Sequence, residues 1–214
     1  MYLTEEHHLI RKTVRDFAER EIRPLARELD ESGEFSIGLT KKMGDIGLFG
    51  LRTPAKYGGN ALDTLSYVIV IEELARVDSS QAATIAAHIS LGIGPILNYG
   101  TEEQKEKYIP MLSTGEATWA FGLTEPDAGS DSRATKSSAR LEEDHWIING
   151  SKIFITNGAS RINKGATVQV VSGQKNGEKE FSTILVDIEV NNFASRSSES
   201  FPENVARAMS EPLE

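Results

Sequence analysis

The chain has 214 residues, 32 acidic against 23 basic side chains, a formal net charge of −9 and no cysteine. An acidic balance without a basic face excludes a nucleic-acid-binding role, and the missing cysteine excludes disulfides, thiolate metal sites and thiol nucleophiles. No run of about 18 apolar residues is present, so no membrane-spanning helix is expected, and the charged first turns lack the apolar core of a signal peptide, so the expected location is cytoplasmic.

The first 115 residues carry helical periodicity. Thr4 is a candidate N-cap, with Glu5 and Glu6 in the first turn, where the helix dipole favours acids. Leu9, Ile10, Val14, Phe17, Ile22 and Leu25 follow at spacings near three and four, and Pro24 either kinks this helix or opens a second segment. A second helix is expected over about Ile37–Ile46, ahead of the Gly47–Gly50 break. Tyr57–Asn60 reads as a turn and Asp63–Arg76 as a strong helix. Ser79 or Ser80 is expected to cap the next helix, an almost uncharged stretch toward Leu97 that must be buried. His88 within it reads as a satisfied core residue. Thr101–Gln104 fits a capping box. His7 and His8 are adjacent, project differently from a helix and are unsuited to holding a metal together.

After Gly115 the period changes. Asn149-Gly150 between His145–Ile148 and Ser151–Thr156 predicts a β-hairpin; Val168–Val171 and Phe181–Val186 read as further strands. The expected architecture is α+β: an all-helical domain over residues 1–116, a β-barrel-like domain, complete or incomplete, over 117–190, and an unaligned Ser/Glu/Asn-rich tail over 191–214. A short helix is expected over Glu203–Met209.

Between Trp119 and Asp131 a strand-like start runs into a Pro/Gly/Ser loop, in which Gly129 permits close backbone approach and Thr124 and Ser130 supply hydroxyls. Successive N–H groups in such a loop can form an anion-binding nest. Glu125, Asp127 and Asp131 suggest a Ca²⁺ loop, but counted from Asp127 the required Gly and Glu are Ser132 and Ser138. Neither phosphate-binding glycine motif is present.

The whole chain resembles the acyl-CoA dehydrogenases. Leu123–Asp131 follows that family's L-T-E-P-x-A-G-S-D, and Ile148–Gly158 follows I-N-G-x-K-x-[WF]-I-T-N-[AG]. Ile46–Gly50, Tyr57-Gly58-Gly59, Glu72–Arg76 and Tyr99–Gln104 agree as well. The resemblance implies FAD as cofactor, an acyl-CoA substrate of fatty acid metabolism oxidised to its α,β-enoyl form, an electron-transfer flavoprotein as partner, and a homo-oligomer for a full-length chain. It places Phe121, Gly122, Leu123, Thr124, Gly129 and Ser130 along the flavin, with Thr124 near N1 and O2, and gives Ser130 a contact to the CoA part of the substrate. Phe154, Ile155 and Thr156 form the second flavin segment: Phe154 against the ring, in place of the commoner Trp, and Thr156 near N5. Without the motif, Phe154 would read as a core aromatic. The family's catalytic glutamate belongs to a C-terminal helical domain, so the catalytic residue is left unassigned and the chain is expected to be truncated. The alternative is an inactive folded fragment or subunit-interaction module without flavin.

Overall fold

The computed structural model describes residues 3–188 and, for backbone only, 206–208. A helical region comes first. Helix α1 (Glu5–Phe17) starts at Thr4, whose hydroxyl accepts from the N–H of His7, while the His7 ring returns a bond to the Thr4 backbone N–H. The second ring nitrogen of His7 faces Asp63, which itself caps a later helix. A widened π turn (Ala18–Ile22) leads without a break into α2 (Arg23–Ser32). Pro24 therefore falls in the first turn of α2, where it opens the second segment. A proline ring clashes with the carbonyl four residues back, and the wide turn relieves that clash by re-routing the backbone bond from Arg23 N–H to the Ala18 carbonyl.

Helix α3 (Ile37–Asp45) is capped by Ser36, α4 (Thr64–Ala75) by Asp63 and α5 (Ser79–Ala87) by Asp78. Asp78 corrects the expected serine cap: its Oδ1 accepts from the N–H and hydroxyl of Ser80 at 2.8 and 2.7 Å, and a carboxylate is the stronger acceptor. A second π turn (His88–Ile93) joins α5 to α6 (Gly94–Tyr99), with Pro95 again in the next first turn. Helix α7 (Glu102–Ser113) begins with the Thr101–Gln104 capping box. Among the described residues no helix is long and apolar enough to cross a membrane.

The sheet region follows: β1 (Thr118–Gly122), β2 (Ser138–Glu142), β3 (His145–Asn149), β4 (Asn163–Lys175), β5 (Glu178–Asp187) and β6 (Ala206–Ala208). Long β4 organises it. One edge pairs antiparallel with β5; the other carries β1, parallel, along its first half and β2 further on. Beyond β2 come β3 and β6, both antiparallel. The sheet is mixed and does not close into the expected barrel.

Two local expectations fail. Asn149-Gly150 is no hairpin: β3 pairs with β2 around Glu143-Asp144, and Ser151–Thr156 forms no strand. Gly150 sits at φ +152°, which side chains rarely adopt, and lies against the side chain of Ser137, where any Cβ would collide. A second dipeptide, Asn176-Gly177, makes the tight turn instead, with φ of +54° and +84° between paired Lys175 and Glu178. Within the tail, Ala206–Ala208 is a strand and not the expected helix; Glu203–Val205, Met209 and the Asn191–Ser200 stretch lie outside the described residues.

Among the described residues three apolar clusters form the core. Val14, Phe17, Leu39, Met43, Val70 and Ile85 lie among the helices. Ala120, Trp146, Ile148, Val168 and Ile184 fill the sheet face. Ile93, Ile96, Ile109, Leu112, Trp119 and Leu185 join helices to sheet.

Candidate functional site

The site begins at that joint, because β1 carries the first motif. Trp119 is 1 % exposed and its indole N–H donates to the Thr167 hydroxyl at 3.1 Å. Its backbone N–H donates to Nδ1 of His88 at 3.4 Å, so Nδ1 carries no proton and Nε2 donates to the Leu112 carbonyl at 2.9 Å. Complete burial pushes the His88 pKa down to about 4. Gly92 closes the contact: a Cβ there would stand 2.6 Å from the Trp119 carbonyl oxygen.

From β1 the chain enters Leu123–Asp131. Glu125 and Ala128 bond each other's backbones at 2.8 and 3.3 Å, closing a turn over Pro126 and Asp127. The Glu125 side chain points inward and is buried. Its carboxylate accepts from the backbone N–H groups of Lys136 (2.7 Å) and Ser137 (3.0 Å) and from Lys152 Nζ (2.7 Å). Burial works to raise its pKa, but the Lys152 ammonium and these donors outweigh it and hold the carboxyl at about 2. Burial lowers the Lys152 pKa, with Glu125 opposing. Lys152 Nζ also donates to the Leu123 carbonyl at 3.0 Å. Beside it, Ile153 N–H donates to the Thr124 carbonyl at 2.9 Å. The two motifs are thus tied together by one buried ion pair and two bonds to consecutive carbonyls.

Around this tie, Phe121, Leu123 and Thr124 are half-buried, Gly122 is buried, and Gly129 and Ser130 are exposed past the Glu125–Ala128 turn. Asp131 accepts from Arg133 N–H at 3.1 Å and ends the loop. Ile155 packs on the sheet cluster and Thr156 is exposed. Phe154 is 89 % exposed and sits at φ +57°. The core-aromatic reading of Phe154 is therefore wrong. A left-handed aromatic costs about 1 kcal/mol or more, with no burial here to offset it. Asn157, also left-handed at φ +65°, anchors the segment by donating to the Thr84 carbonyl of α5 at 3.1 Å. The hydroxyls of Thr124, Ser130 and Thr156 have no partner among the described residues. An exposed aromatic face with hydroxyls on the adjoining segments fits a planar, hydrogen-bonding cofactor such as a flavin.

Sequence reasoning missed the roles of Lys152, Glu125 and Asn157. The available signal was a lysine in one motif and a glutamate in the other, two opposite charges that could pair.

Family models for the N-terminal and middle domains of acyl-CoA dehydrogenase match residues 4–116 and 120–206. The chain belongs to the acyl-CoA dehydrogenase family. It is 44 % identical over 185 residues to a short-chain specific acyl-CoA dehydrogenase of Clostridium acetobutylicum, covering 86 % of this chain and 48 % of that protein. It is 39 % identical over 189 residues to subunit CarC of the caffeyl-CoA reductase–Etf complex of Acetobacterium woodii, covering 88 % and 49 %. Among solved structures, an acyl-CoA dehydrogenase complexed with FAD from Bacillus anthracis superposes with a TM-score of 0.81 at 35 % identity, covering 99 % of this chain and 37 % of that one. The chain spans about half the length of the curated relatives it matches. The fold of this family member is accordingly a helical region followed by a mixed sheet, with both family motifs at their meeting point.

Proposed function

We propose that this chain binds FAD across Phe121–Thr124, Gly129–Ser130 and Phe154–Thr156, and serves the α,β-dehydrogenation of an acyl-CoA thioester in the cytoplasm. The observation that carries this reading is Phe154, held exposed and left-handed beside a segment bonded directly to Thr124. In this reading Phe154 covers the flavin ring, the Thr124 and Thr156 hydroxyls fix its edge, and Ser130 meets the CoA part of the substrate. FAD, when bound, supplies the hydride acceptor. The protein's residues orient it and keep water from one face. Glu125 is a poor proton acceptor, being paired and held at about 2, and the base that takes the α-proton is assigned to no residue described. An electron-transfer flavoprotein is the proposed redox partner, by analogy with the relative that works in an Etf complex, and the assembled enzyme is proposed to be a homo-oligomer.

Titration of the purified chain with FAD tests the reading. Quenching of flavin fluorescence should saturate, and at a hundredfold excess over Kd the chain should gain about 2.7 kcal/mol of stability. Absence of both effects refutes it.

A further inference from the structure

We propose that Lys152 and Glu125 are positioning residues that fix the spacing of the two flavin-facing segments and set the local charge felt by the bound flavin. The inference rests on the FAD reading above. Three observations carry it. Lys152 Nζ reaches Glu125 and the Leu123 carbonyl at 2.7 and 3.0 Å, so one ammonium bridges the strand exit and the loop. Glu125 is in turn seated on the N–H groups of Lys136 and Ser137, which lead into β2. Ile153, between Lys152 and Phe154, donates to Thr124. A shift of the ammonium therefore moves Thr124 and Phe154 relative to each other. The pair is also nearly dry: the two side chains are 11 % and 4 % exposed. Dry charges are weakly screened, so loss of either leaves an uncompensated charge next to the segments that face the ring.

This gives the pair a signature that packing alone lacks. Glu125→Gln leaves a positive charge, which favours the more anionic reduced flavin and raises its midpoint potential. Lys152→Met leaves a negative charge and lowers it. Each single change should weaken FAD binding at least tenfold and alter the reduced-to-oxidised preference about tenfold, or roughly 30 mV for a two-electron couple. Lys152→Arg keeps the charge but cannot place one compact ammonium on both acceptors; it should weaken binding and leave the potential unchanged. The double change Glu125→Gln/Lys152→Met should restore the wild-type potential.

The experiment is FAD titration and redox potentiometry on the 214-residue chain. Single variants that bind FAD like the wild type, or a potential that Glu125→Gln and Lys152→Met move in the same direction or not at all, overturn the proposal. If a single variant does not fold, Lys152→Arg and the double variant decide by the same two readouts. A wild type that takes no FAD refutes the functional reading instead. The brace is then judged by amide exchange in the flavin-free chain. Lys152→Arg should accelerate exchange at Ile153 at least tenfold and leave Trp119 unchanged, and unaltered exchange at Ile153 overturns the brace as well.

Discussion

Acid should loosen the joint between helices and sheet through His88. The ring is wholly buried, with Nδ1 accepting from Trp119 N–H, and its pKa falls from 6.5 to about 4. Between those values the unfolded chain binds a proton that the folded chain refuses, so stability rises with pH across the window. The contribution is complete above the unfolded value and is lost as pH falls toward the folded one. The whole shift is worth about 3 kcal/mol, of which about 2 kcal/mol is lost between roughly pH 8 and pH 5. Buried Glu125, held at about 2, acts in a lower window: its contribution is present above its unfolded value of 4.5 and is lost toward pH 2. Urea unfolding, followed through tryptophan fluorescence, should show the wild type losing that amount relative to His88→Gln, which retains a donor and an acceptor but does not titrate. Ring resonances of His88 should stay those of the neutral form down to about pH 4. Parallel pH dependences of the two proteins would refute the reasoning.

Phe154→Gly should raise the stability of the flavin-free chain by about 1 kcal/mol, since it relieves a left-handed backbone without exposing a core, while FAD affinity falls at least tenfold; a loss of stability in urea would mean that the ring is packed. Gly92→Ala drives a methyl to 2.6 Å from the Trp119 carbonyl oxygen, and thermal unfolding should show a cost of about 2 kcal/mol or more. Glu73, 1 % exposed, accepts from Nε and Nη2 of Arg15, each at 2.8 Å, and from Arg76 Nη1 at 3.0 Å. Because those arginines are about half exposed, Glu73→Ala should cost about 2 kcal/mol and not the full penalty of a dry pair. An unchanged denaturation midpoint would show that solvent already screens the cluster.

What was legible in the sequence was local. The caps at Thr4 and Thr101 depend on residues three apart, and both form as read. The helix over Asp63–Arg76 and the strands around Val168 and Phe181 follow their apolar spacing. The errors come from tertiary competition. Asn149-Gly150 has the chemistry of a hairpin turn, but packing against Ser137 claims Gly150, and β3 takes β2 as its partner. At the site, the motif residues were legible as a set, while the forces that join them were not. Lys152 meets Glu125 from 27 residues away and Asn157 meets Thr84 from 73. No periodicity reports such contacts, and a left-handed Phe154 runs against its own backbone preference.

The widened turn at His88–Ile93 lets one helical rod serve two cores. A π turn adds roughly one residue, which rotates everything after it by about 100°. Ala82, Ile85 and Ile89, before and within the turn, face the helical core, whereas Ile93 and Ile96 face the Trp119 joint. A helical wheel drawn through Ser79–Tyr99 at constant pitch would merge these into one stripe. Winding the same residues at regular α pitch would merge them in fact, leaving the rod facing only one of its two neighbours, whereas deleting one residue would keep the two faces apart.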